Sequence, residues 1–192
     1  MSLCVLLVDD DPERAAIVEP ALRAAGYEVV TVVDTAAAML AQARARRPDV
    51  IIIDRDTPDR DILEHVRMIT RDDPRPIVMF TQDKDRTLMR EALEAGVSAY
   101  VVDGLSVERV RPIVEVALAR FEQWQALRQE LDQAQTNLAE RKLIERAKGI
   151  VMKQRKCSED EAYRLLRKTA MDRKQRLAEV AENVVAMASL LT

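Results

Sequence analysis

The stretch LCVLLVDDDP, residues 3–12, decides how the first half of the chain folds. Val5 to Val8 form an unbroken apolar run, too short for an ordinary helix and suited to a strand buried on both faces. Asp11-Pro12 then reads as the N-cap and first residue of a helix, because proline has no N–H to lose there and its φ is already helical. Similar runs follow at YEVVTVV (27–33), DVIII (49–53), PIVMF (76–80) and AYVV (99–102), separated by segments of helical period. That alternation makes βα repeats. The sequence therefore predicts an α/β domain with a five-stranded parallel sheet and helices on both faces.

In such sheets chemistry gathers at the carboxyl ends of the strands. Asp9, Asp10 and Asp11 follow the first strand, Asp54 ends the third and Thr81 ends the fourth. Capping accounts for Asp11 and leaves Asp9 and Asp10 spare. Crowded carboxylates repel, and hard oxygen donors in this number suit Mg²⁺, with Asp9, Asp10 and Asp54 as ligands. The ion would neutralise a phosphoryl donor while one aspartate attacks it.

Residues 1–120 resemble the receiver domain of two-component response regulators. Asp9 and Asp10 match the acidic pair, Asp54 the phosphoacceptor, Pro58 the proline four residues on, Thr81 the switch hydroxyl and Tyr100 the switch aromatic. The resemblance implies Mg²⁺-dependent phosphorylation by a sensor histidine kinase. It fails at one place: receivers carry a Lys-Pro pair after the fifth strand, and here the pair is Asp103-Gly104. An anion in place of a cation reverses about 4 kcal/mol per pair at ~4 Å and an effective dielectric near ~20. Lys84, after Thr81, is the only lysine in residues 1–105. Arg55 adjoins Asp54, but strand alternation points it away.

From Leu105 to Lys148 there is no glycine, and a long helix is expected, with Ser106 able to cap it and Pro112 suggesting a kink or a delayed start. Val110, Val114, Ala117, Phe121 and Trp124 are spaced by four, three, four and three residues, and Leu131 and Leu138 continue at sevens. This is a heptad seam, and it predicts a coiled-coil dimerisation helix over residues 106–138 with Val114, Phe121, Trp124, Leu131 and Leu138 on the contact. Arg128 and Gln135 interrupt it, and Leu127 and Ala134 lie one position off. A hairpin with the C-terminal helices would also bury the seam.

The last fifty residues carry a different charge. Residues 139–176 hold 13 Lys+Arg against 6 Asp+Glu, a net of +7, whereas residues 1–105 hold 13 against 20, a net of −7. The chain's formal net charge of −3 hides this polarity. Leu143, Ile144, Ala147, Ile150 and Val151 fall on one side of a helix, with Lys142, Arg146, Gly149 and Lys153 opposite. A glycine there costs roughly 1 kcal/mol against alanine, which implies either close helix packing or a partner approaching the backbone. Ser158 with Glu161 forms a capping box opening a second helix. Its apolar face is Ala162, Leu165, Leu166, Thr169 and Ala170, opposite Arg164, Arg167 and Lys168. A third helix, LAEVAENVVAMASLL (177–191), supplies Leu177, Val180, Ala181, Val184 and Ala188 to a common core.

Ala147-Lys148-Gly149-Ile150-Val151-Met152, Ser158 to Tyr163, Leu166-Arg167, Ala170-Met171 and Leu177 to Ala181 resemble the ANTAR domain of AmiR/NasT-type antitermination regulators. The resemblance covers about residues 138–190. It implies an all-α three-helix domain, here 138–192, that binds paired RNA hairpins in leader transcripts. Lys148, Arg167, Arg173 and Lys174 are the expected RNA contacts, supported by Arg146, Lys153, Arg164 and Lys168. Val102-Asp103-Gly104-Leu105 looks more like NasT, a nitrate or nitrite assimilation regulator, than a standard receiver. It adds sequestration by a NasS-like ligand-sensing repressor protein as a second mode of control.

Other classes are disfavoured. His65 is the sole histidine, so no His-based hydrolase or His-rich metal site can be built, and the chain reads as a regulator without enzyme activity. Cys4 and Cys157 lack zinc or disulfide spacing. No apolar run suits a membrane span, and a cytoplasmic location is expected. The expected protein is a homodimeric transcription antiterminator that binds RNA. A DNA-binding response regulator and a protein adaptor are the rival readings.

Overall fold

The computed structural model describes residues 2–105 and 107–190. The expected cap Ser106 and the final residues Leu191 and Thr192 lie outside them. The chain forms two compact units, Met1–Gln125 and Ala126–Thr192. No described helix is long and apolar enough to cross a membrane.

The first unit alternates strand and helix: β1 (Cys4–Asp9), α1 (Pro12–Ala24), β2 (Glu28–Val33), α2 (Ala36–Arg46), β3 (Val50–Asp54), α3 (Arg60–Asp72), β4 (Ile77–Thr81), α4 (Arg86–Ala95) and β5 (Ala99–Val102). It is completed by the start of α5 (Val107–Arg155). The strands form one parallel sheet in the order β2-β1-β3-β4-β5. The runs of β1, β3 and β4 are buried because both sheet faces are covered, while those of the edge strands β2 and β5 are only partly buried. Leu6, Val8, Ile51, Ile53, Ile77 and Met79 pack against α2, α3 and α4. Val5, Leu7, Val50, Ile52, Val78 and Phe80 face α1 and the first turns of α5. Asp11 caps α1 by accepting from the N–H groups of Glu13 and Arg14, with Pro12 at the first helical position.

The start of α5 corrects the dimer seam. Val110, Val114 and Ala117 are fully buried against the sheet, so Val114 belongs to the receiver-like core and is not available to a second copy. A helix that flanks a sheet spends its first apolar stripe on that sheet, with the same spacing a coiled coil uses. Phe121 and Trp124 stack with ring centroids 5.8 Å apart. They line a cavity of about 280 Å³ with Thr70, Leu93, Gly96 and Val97.

The second unit contains the rest of α5, then α6 (Glu159–Arg173) and α7 (Leu177–Leu190). Ala147, Leu166, Ala170, Val180 and Ala181 make its core, with Leu143, Ile144, Val151, Leu177, Val184 and Val185 packed around them. The Ser158–Glu161 capping box is formed in both directions. Leu165, expected in the core, is 46% exposed, because the face that α6 turns to the core is the stripe of Ala162, Leu166 and Ala170, spaced by four, and Leu165 lies one residue off it. Along α5, Leu127 is 67% exposed, Leu131 56% and Leu138 54%. These side chains, with exposed Ala134, follow a four-three-four spacing that no element of this unit covers.

Candidate functional site

Two charged regions stand out, one in each unit. The first lies at the carboxyl ends of β1 and β3. Parallel pairing sets Asp9 opposite Asp54, and both follow the parity of the residues that face α1. Asp9 and Asp54 are each 3% exposed. Burial raises the Asp54 carboxyl to about 6; the Arg14 guanidinium pulls it down, while Asp9, Asp56 and Asp10 push it up. The Oδ2 atom of Asp54 is buried without a hydrogen bond.

The sequence reading missed the group that dominates this pocket. Arg14, on the first turn of α1, enters the acid cluster and contacts four carboxylates. Its Nη2 lies 2.7 Å from Asp9 and 3.0 Å from Asp10, its Nη1 2.9 Å from Asp56, and its Nε 3.7 Å from Asp54. Nη2 also donates to the Asp54 backbone carbonyl at 3.1 Å. A second guanidinium flanks the cluster: Arg55 Nε is 3.4 Å from Asp10 Oδ2, and Nη1 is 2.9 Å from Asp59. Strand parity does send Arg55 away from Asp54, but toward Asp10, which shares its side of the sheet.

The donor chemistry of Asp9, Asp10 and Asp54 is what Mg²⁺ uses, yet their arrangement does not fit the ion. A guanidinium stands among the carboxylates, and among the described residues no group of three or more His, Cys, Asp or Glu is placed to hold a metal. This differs from the expectation of an Asp9–Asp10–Asp54 metal site, because Arg14 occupies the space between the carboxylates and offsets part of the repulsion a metal would relieve.

The remaining receiver positions are also rearranged. Thr81 donates its hydroxyl to the Asp56 carbonyl at 2.7 Å and accepts from the Asp83 N–H at 3.0 Å. Tyr100 packs against the core facing α2 to α4, where burial pushes its phenol upward and the neighbouring Thr81 hydroxyl pulls it back. Lys84 pairs with Asp103 at 3.1 Å and does not contact Asp54. Asp103 and Gly104 both have left-handed backbone, φ 73° and 70°.

The second region is cationic. Arg146, Lys153, Arg164, Arg167, Lys168, Arg173 and Lys174 are all exposed. Lys156, Arg164 and Lys168 line a concave notch of about 520 Å³ with Cys157, Glu161 and Leu165. Lys156 went unnoticed in the sequence because it closes α5 rather than sitting on a periodic face; its φ of 51° is left-handed. Lys148 corrects the list of expected contacts. It is buried, 2.8 Å from Glu145 and 2.6 Å from Glu159, and those two carboxylates hold its ammonium above the usual lysine range. Its charge is thus engaged within the domain, tying α5 to α6. Gly149 is exposed, and a Cβ built there would meet nothing within 4 Å, so packing by another helix of this unit does not explain it.

Comparison with known proteins covers both units. Residues 5–115 match the response regulator receiver domain, and residues 132–185 match the ANTAR domain. The transcriptional regulatory protein PdtaR of Mycobacterium tuberculosis is 32% identical over 181 residues, 94% of this chain and 88% of PdtaR. The DNA-binding response regulator MtrA of Mycolicibacterium smegmatis is 30% identical over 118 residues, 62% of this chain and 51% of MtrA. The structure of the chemotaxis response regulator CheY4 of Vibrio cholerae superposes with a TM-score of 0.54 at 27% identity, covering 61% of this chain and 99% of CheY4.

Proposed function

Because this chain belongs to the response regulators that join a receiver domain to an ANTAR domain, we propose that its exposed cationic surface grips hairpins of a leader transcript. The protein is an RNA-binding transcription antitermination regulator with a receiver domain. Families of this kind act by binding and signalling, not by turnover. The observation that carries the RNA surface is the separation of charge within the C-terminal unit. Lys148 is paired internally, while Arg146, Lys153, Lys156, Arg164, Arg167, Lys168, Arg173 and Lys174 face solvent.

A polyphosphate partner is drawn by such a surface, and base contacts come second. Exposed Leu165, inside the Lys156–Arg164–Lys168 notch, offers apolar area for an unstacked loop base. Competition between a leader-RNA hairpin, the same sequence as duplex DNA, and an unstructured polyanion tests this. Preference for the hairpin is expected; equal binding to all three overturns the reading.

Two copies are assigned to each paired hairpin target, joined through Leu127, Leu131, Ala134 and Leu138 in the spacing of a coiled-coil seam. Control is assigned to a ligand-sensing protein that sequesters the regulator, in the cytoplasm where nascent transcripts are made. The support is the loss of the receiver lysine and the capture of Lys84 by Asp103. Nitrate or nitrite assimilation as the target operon rests on Val102-Asp103-Gly104-Leu105 alone. A sensor kinase acting through Asp54 and Mg²⁺ is the competing input. Acetyl phosphate with Mg²⁺, followed by intact mass on wild type and Asp54→Asn, separates them. No adduct is expected, and an Asp54-dependent adduct would assign control to the kinase.

A further inference from the structure

The geometry points to Arg14 as the resident cation of the receiver pocket, a built-in guanidinium that takes the place of the divalent metal. This goes beyond the RNA reading and stands on the acidic pocket alone, so either can fail without the other. Three observations converge on it.

First, the guanidinium is placed as a bound ion would be. Its nitrogens lie at 2.7, 3.0 and 2.9 Å from Asp9, Asp10 and Asp56, with Nε 3.7 Å from Asp54. Nε and Nη2 both donate to Asp9, whose side chain is fully buried, in the forked geometry that arginine alone supplies. Surface arginines rarely hold four carboxylates at once, and this one is only 22% exposed.

Second, the acids hold Arg14 from fixed elements. Asp9 ends β1 and Asp54 ends β3, in register with each other, while Asp11 caps the helix whose first turn carries Arg14. The Asp9 carboxylate also accepts from the Asp11 N–H at 2.9 Å, which ties the acid to the start of that helix. For a metal to coordinate Asp9 and Asp54 together, the Arg14 guanidinium has to leave the space between them.

Third, the rest of the phosphoryl-binding apparatus is altered in the same direction. Lys84 pairs with Asp103, and Arg55 adds a second cation at Asp10. The carboxylates of the pocket are thus partly offset by guanidinium groups of its own, and a divalent ion has less negative potential to answer. Arg14 and Mg²⁺ compete for the same oxygens.

The test uses the full chain with Mg²⁺ alone as ligand, read by the shift in melting temperature and by calorimetric titration. Mn²⁺ broadening of backbone amide signals near Asp54 reports location. Wild type is expected to show no Asp54-dependent response. Arg14→Ala is expected to gain one, with affinity for Mg²⁺ at least roughly tenfold tighter, and Asp54→Asn added to it cancels the gain. Arg14→Gln, which keeps an amide donor without the charge, serves where alanine impairs folding and carries the same expectation. Asp54-dependent Mg²⁺ binding by wild type as tight as by the variants overturns the proposal. So does a folded Arg14 variant that gains no Mg²⁺ response.

Discussion

The backbone N–H of Gly104 donates to the carbonyl of Thr81 at 3.1 Å, which closes the end of β5 over the end of β4. Gly104 sits at φ 70°, and a Cβ there would come within 2.8 Å of the Gln82 side chain. A proline in this position lacks the N–H and needs φ near −65°. Asp103-Gly104 is therefore a different turn from the Lys-Pro of other receivers, and not a point change within the same one.

Restoring the pair separates its two halves. Asp103→Lys alone should fold with little change in stability, since the Lys84–Asp103 contact is exposed on both sides. Adding Gly104→Pro should cost about 3 kcal/mol through the lost hydrogen bond and the forced φ. Urea unfolding of the two variants measures the difference; equal midpoints would refute this account of the turn.

Gly149→Ala should raise the stability of the C-terminal unit by about 0.5–1 kcal/mol, because the added methyl meets nothing and helix propensity improves. Hairpin-RNA affinity should fall at the same time, since the open glycine lies with Arg146 and Lys153 on the exposed strip. A variant that is more stable and binds RNA as well as wild type takes Gly149 off the interface.

Salt titrations sort the cations. Arg167→Ala, Lys168→Ala and Lys174→Ala should each lower the slope of log affinity against log salt by about 0.7–0.9. Lys148→Met should leave the slope unchanged and lower the melting temperature, because its partners are Glu145 and Glu159. A slope change in Lys148→Met equal to the others would return it to the RNA surface.

The helix α5 residues divide by role. Leu131→Glu with Leu138→Glu should dissociate the proposed dimer in sedimentation without unfolding the chain, as both side chains are exposed. Val114→Ala should leave assembly alone and cost about 2 kcal/mol of receiver stability through lost burial and a cavity. If Val114→Ala dissociated a dimer at full stability, the correction to the seam would be wrong.

Asp54 should titrate near 6 in a carboxyl NMR experiment, and higher in Arg14→Ala, because Arg14 pulls it down. The folded value lies above the usual 3.8. The stability this group favours is therefore present below about 4 and lost as pH rises through about 6. Asp54→Asn should remove that part of the pH dependence, and a midpoint unmoved by Arg14→Ala would show that the guanidinium does not bear on Asp54.

Much of this architecture is legible in residue order. Apolar runs of strand length alternating with segments of helical period place all five strands, and the Ser158–Glu161 box marks the start of α6 as it is found. Asp9 and Asp54 meet because parallel strands of equal parity bring their carboxyl ends together. What could not be read was which partner each charged or apolar group would choose. Val114 has the spacing of a dimer seam and of a sheet-facing stripe alike, and Lys148 belongs to a basic run that continues past it.

The sequence by itself thus determined the parallel α/β fold followed by a long helix and a helical C-terminal region, the order of their elements and the signs of their charged regions, because periodicity and local capping act over a few residues. Only the tertiary structure decided that Arg14 enters the acid pocket, that Asp103 takes Lys84 and that Lys148 is held by Glu145 and Glu159. Those pairings are set by where separate elements pack, and a side chain's partner in space is not encoded in its spacing along the chain.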